Sequence, residues 1–90
     1  MSKLMNVGFG NAVNTDRVLA VVNPDAAPVR RLVTRAKNND TLIDATQGRK
    51  TKSVLILTED RVMLSALQTE TIVRRFNDPH LRTEEDMESE

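Results

Sequence analysis

The sequence predicts a small single α+β domain, with a mainly antiparallel sheet of four to five strands and two helices, that associates with copies of itself. Three observations predict it. "RVLAVV" (17–22) and "SVLIL" (53–57) are aliphatic runs of strand length. Val29, Leu32, Val33 and Ala36 recur at helical spacing. Finally, 90 residues without cysteine, tryptophan or tyrosine leave little core material beyond aliphatic side chains. A lone His80 and no cysteine exclude a disulfide and any ordinary zinc site, so no metal or cofactor is expected. Self-association is the stabilising device that remains, and a closed homo-oligomer also covers exposed sheet edges.

The domain occupies residues 1–78 and an acidic tail follows over 79–90. "RTEEDMESE" (82–90) holds five acids and one base, a composition that predicts a disordered, solubilising terminus. Without those nine residues the chain keeps twelve lysines and arginines against eight acids, so the zero net charge hides a basic body. The tail's acidity could compete weakly with an anionic partner for that body. Lys3 is followed by only two apolar residues before Asn6, which is no secretory signal, and no apolar run approaches the ~20 residues of a membrane span. The expected address is cytoplasmic.

Along the chain, "NVGFGN" (6–11) raises the first question, because Gly8 and Gly10 bracket Phe9. A dinucleotide fingerprint needs a third glycine and a helix directly after it, and a P-loop needs a following "GK[ST]". Neither is present, so Gly8 and Gly10 are read as a bulge or positive-φ corner with Phe9 packing against a neighbour. After the strand 17–22, Asp25 is placed at an N-cap and Pro28 in the first turn of a helix that Asn38 and Asn39 end in left-handed geometry. "TLIDAT" (41–46) and "SVLIL" read as strands joined by the polar turn "QGRKTK" around Gly48. "TED" (58–60) then makes a hairpin with "RVMLSAL" (61–67). Thr69 caps a last helix whose Ile72, Val73 and Phe76 share a side, and Pro79 breaks it.

Catalytic candidates are thin. His80 lies beside the tail, Asp44 sits within a strand pattern where a hydrogen bond is its expected role, and Glu59–Asp60 read as a solvated turn. No enzyme is expected, and no small-molecule substrate. The strongest local signal is "GRKTK", where Arg49, Lys50 and Lys52 cluster beside Gly48, with Thr46 and Thr51 as hydroxyl donors suited to phosphate. Arg17 could join them. Three or four such contacts bind nucleic acid weakly, but copies in an oligomer multiply the effect.

"NVGFGN", "RVLAVVNPDAAPVRRLV", "LIDATQGRKT" and "LSALQTETIVRRF" together resemble the bacterial RemA family of extracellular matrix gene regulators, collinearly from about Lys3 to Phe76. The resemblance implies a DNA-binding transcriptional regulator of biofilm-matrix genes. It also implies a ring-shaped homo-oligomer that contacts double-stranded DNA on its outer rim. It places DNA contacts at Arg17 and the Arg49–Lys50 pair, and a structural or assembly role at Pro28. The family usually has a tyrosine at Gln47, arginine at Lys50 and proline at Thr69. Lysine keeps the charge but loses the planar fork that grips phosphate in two places. The competing reading is a ring-forming scaffold that binds protein, with the basic turn as ordinary surface.

Overall fold

A computed structural model describes residues 3–82. The chain first forms a hairpin, β1 (Leu4–Gly8) and β2 (Asn11–Asn14). A 3-10 turn over Thr15–Arg17 leads into β3 (Val18–Val22), followed by α1 (Ala27–Asn38) and β4 (Leu42–Asp44). Then come β5 (Ser53–Leu57), β6 (Val62–Ser65), α2 (Thr69–Asn77) and a second 3-10 turn, Pro79–Leu81. The main sheet has the order β3-β5-β6-β4. The architecture is thus α+β with two helices, but the described residues form six strands rather than four to five, divided into a two-stranded and a four-stranded sheet.

Both faces of the main sheet are covered, which explains why β5 is apolar at nearly every position. Leu55, Leu57 and Met63 pack on one face with Met5, Val7 and Val13 of the hairpin, Leu67 of the link after β6, and Ile72 of α2. Val54 and Val62 face the other way, against Ala36 and the half-buried Val29, Leu32 and Val33 of α1. The result is three layers.

One strand pairing differs from expectation. β4 does not form a hairpin with β5; it runs parallel to β6, with Leu42, Ile43 and Asp44 opposite Val62, Met63 and Leu64. β4 and β5 do point in opposite directions, as a hairpin would require, but β6 inserts between them. Residues 45–52 are long enough to cross the two strand spacings, about 10 Å, that this demands. The basic segment is therefore a crossover loop at the end of the sheet, not a hairpin tip.

Helix ends also depart from the sequence reading. Ala26, not Asp25, is the N-cap of α1; it offers no side-chain cap, and Pro28 in the first turn removes one orphan N–H. The Asp25 carbonyl instead accepts from Arg30 Nη2 at 2.9 Å. At the other end the left-handed residue is Asp40 (φ 60°), one beyond Asn39. Thr41 N–H donates to Ala36 O at 2.9 Å and Asp40 N–H to Lys37 O at 3.3 Å, the paired bonds of a Schellman motif. Gln68 caps α2, so the Thr69 hydroxyl is free to donate to Asn23 Oδ1 at 2.9 Å, tying α2 to the end of β3.

The buried face of α2 is rotated from the expected one. Thr71, Ile72 and Arg75 are buried while Val73 is 43% exposed, because Ile72, Arg75 and Phe76 stack at i, i+3, i+4. Arg75 donates through Nη1 to Asn6 O at 2.9 Å, and its Nε has no partner among the described residues. Residues 79–82, placed in the acidic tail by sequence, continue the packed body. Arg82 lies over the Phe76 ring at 5.8 Å and donates to Phe76 O at 2.6 Å, while its own carbonyl accepts from Asn6 N–H at 2.7 Å. The rest of the tail, 83–90, lies outside the described residues.

Candidate nucleic-acid interface

The crossover loop is organised by one tight turn. Gln47 (φ 55°) and Gly48 (φ 79°) both take left-handed backbone, and Arg49 N–H closes the turn on Thr46 O at 3.0 Å. Such a turn favours glycine because a Cβ at positive φ meets its own backbone. Nothing lies within 4 Å of a Cβ built on Gly48, so conformation rather than crowding requires it.

Asp44 anchors the loop's first residue. Its Oδ1 accepts from Thr46 Oγ1 at 2.6 Å and from Thr46 N–H at 2.9 Å, and these two bonds hold the carboxyl below the ordinary aspartate value of 3.8. Thr46 is itself buried with its hydroxyl already committed, so of the two threonines only Thr51 is available to a phosphate. Lys52 leaves the loop with its N–H on Ser65 O at 2.9 Å, as the chain enters β5.

Between these anchors, Arg49 and Lys50 are exposed. The Arg49 guanidinium sits over the Phe9 ring, 5.5 Å from its centroid. Phe9 occupies the tip of the β1–β2 hairpin, where Gly8 (φ 108°), Phe9 (φ 55°) and Gly10 (φ 78°) are all left-handed and the ladder slips between Asn6 and Gly8. Asn6 Oδ1 takes the Gly8 N–H at 2.7 Å, and Asn11 Nδ2 donates to Gly8 O at 3.1 Å, fixing this tip from both sides. The glycine corner therefore serves as a platform for the basic loop. The two stretches lie 40 residues apart in sequence, and no local pattern announces that they meet.

Arg17 is not brought to this cluster within the protomer. It ends the 3-10 turn before β3, and its carbonyl accepts from Thr58 N–H at 2.9 Å, which puts it at the other end of β5. At about 3.3 Å per strand residue, Thr58 and Lys52 are roughly 20 Å apart. Arg17 shares its groove with Asn14, Ile43, Thr58 and Arg61. Pro28 is exposed in the first turn of α1.

The earlier catalytic candidates stay apart. Glu59 (φ 63°) and Asp60 (φ 61°) form the β5–β6 turn, with Glu59 3.8 Å from Arg61, and exposed His80 lies in the second 3-10 turn. Among the described residues no group of three or more histidines, cysteines or acids could hold a metal ion, and no helix is long and apolar enough to cross a membrane.

Fold and site together describe a small three-layer α+β protein whose most developed polar feature is a cationic loop held between two fixed turns. The chain belongs to the RemA-like family: the model for "Extracellular matrix regulatory protein A-like" proteins matches residues 4–76. Relatives agree over nearly full length. A protein of Pseudothermotoga lettingae is 48% identical over 97% of this chain and 96% of its own. One of Fervidobacterium nodosum is 49% identical over 98% and 95%, and one of Thermodesulfovibrio yellowstonii 51% over 83% and 88%. Each carries the name "putative regulatory protein". Family and relatives indicate a regulatory protein rather than an enzyme.

Proposed function

We propose that this protein is a DNA-binding regulator that works in the cytoplasm as a closed, ring-shaped homo-oligomer and engages duplex DNA through the loop 46–52. The observation that carries the reading is the seating of Arg49 over Phe9 at 5.5 Å, at the centre of an exposed basic loop. A guanidinium held against a ring face keeps its donors aimed outward, and cation–π contact limits its motion without neutralising it. Lys50, Lys52 and Thr51 add phosphate donors beside it, and Arg17 supplies a second contact at the far end of the sheet.

Association is supported by the edges of the main sheet. β3 and β4 both leave one side unpaired, and Leu19 is 67% exposed at the register slip between Val18 and Ala20. Ile43 on the opposite edge is 38% exposed. An apolar side chain bulged outward from an open edge suits burial against another copy. Each copy in a ring repeats the same few phosphate contacts, which turns weak sites into a tight one.

The test is fluorescence anisotropy of labelled duplex DNA over a salt series, with light scattering for assembly. Affinity should fall steeply with salt, and Arg17→Ala and Arg49→Ala should weaken binding while leaving the oligomer mass unchanged. An assembly that ignores DNA at low salt would instead support the scaffold reading.

A further inference from the structure

α1 carries Arg30, Arg31, Arg35 and Lys37, all exposed, and not one acid in its 12 residues. Two features of this charge work against the helix itself. Arg31 and Arg35 are four apart, a like-charge pair that repels. Arg30 and Arg31 lie near the N-terminal end, where the helix dipole disfavours cations and where no acid offsets them in the first turn. The ion pairs described elsewhere, Lys3–Asp16 and Arg61–Glu59, do not involve α1. Packing needs only the opposite stripe of Val29, Leu32, Val33 and Ala36, so folding does not require these arginines.

Their placement continues the basic loop. Arg30 lines one cleft together with Thr51, Pro24 and Thr34. Arg30, Arg31 and Arg35 line the next, along the outer face of the helix with Asn38 and Asn39. Arg35 in turn shares a third groove with Arg61, at the end of the sheet where Arg17 lies. Three adjoining clefts thus run from the basic loop to the end of the sheet that holds Arg17 and Arg61, roughly 20 Å away, where Glu59 and Asp60 also line the grooves. A helix of this length spans about 18 Å, which faces on the order of ten phosphate charges of a duplex.

We propose that the outer face of α1 is part of the DNA-binding surface, with Arg30, Arg31 and Arg35 holding backbone phosphates of the same duplex that the loop engages. The inference rests on the DNA-binding reading above. Its occupant is a polyanion by charge complementarity, since among the described residues the ridge has no ion-pair partner, Arg30 bonding only the Asp25 carbonyl, and Arg31 repels Arg35.

The experiment compares the parent, Arg31→Gln/Arg35→Gln and Arg49→Ala/Lys50→Ala in duplex anisotropy over 50–200 mM salt, with light scattering on each. The ridge variant should bind about tenfold more weakly at the upper salt end, with the log–log salt slope shallower by about two for each protomer in contact. Arg31→Lys/Arg35→Lys should keep the slope. If the ridge variant binds like the parent while the loop variant does not, the inference fails and the DNA reading stands. If the parent ignores DNA, both fail together. A second measurement on the unmodified chain guards against a variant that disassembles: phenylglyoxal should modify Arg31 in the free oligomer and be blocked by duplex. Modification unchanged by DNA, or an Arg31 already shielded by a neighbouring copy, would overturn the proposal.

Discussion

Arg49 lies over the ring of Phe9, joining the crossover loop to the tip of the N-terminal hairpin across 40 residues of sequence. Phe9 holds a φ of 55°, unusual for a bulky side chain, so the platform is maintained at some conformational cost. This separates its two possible contributions. Phe9→Gly should leave thermal stability equal or higher, because the turn strain is relieved. The same change should weaken DNA binding two- to fivefold, the equivalent of about 0.5–1 kcal/mol of lost cation–π contact. A large drop in melting temperature would show that Phe9 is chiefly core.

The left-handed turns predict opposite effects for two substitutions. Gly48→Ala should destabilise by about 1 kcal/mol although no atom blocks its Cβ, and Gly48→Asn by less. At the β5–β6 turn, Asp60 (φ 61°) gains from the reverse change, so Asp60→Gly should stabilise by about 0.5–1 kcal/mol. Urea midpoints at unchanged m-values check both.

Acid should act through Asp44. Its folded-state pKa is depressed by the two bonds from Thr46, so it contributes stability that is fully present above the ordinary value of 3.8 and lost as pH falls through the folded value. Asp44→Ala should therefore be less stable than the parent at pH 7, with the difference shrinking below pH 3.8. A gap that stays constant down to pH 2 would assign the effect to packing instead.

Leu19 is the test of assembly. On a free surface Leu19→Glu should alter monomer stability by no more than about 0.5 kcal/mol. At 67% exposure on an open edge strand, it should instead lower the oligomer mass measured by light scattering. An unchanged mass would move the contact away from β3.

What the sequence determined by itself was the two helices, the four strands of the main sheet and most of their inward faces. β5 reads as a strand because its residues are apolar on both sides, and α1 as a helix because Val29, Leu32, Val33 and Ala36 repeat at 3.6 residues. Turn positions were legible where glycine marks them, at Gly8, Gly10 and Gly48, and at Glu59–Asp60 within "TED", but the left-handed end of α1 falls on Asp40 rather than on Asn38 or Asn39. Val73 was misread for Arg75 because an aliphatic side chain looks like core, while the long stem of an arginine can fill the same space when its head finds a carbonyl. Only the tertiary structure decided which elements are neighbours. It set β4 beside β6 rather than β5, carried Phe9 to Arg49, held Arg17 at the far end from the loop and ran the α1 ridge between them. The periodicity of a segment states which face is buried and nothing about what buries it, because apolar surfaces attract without direction and partners are chosen by the packing of the whole chain.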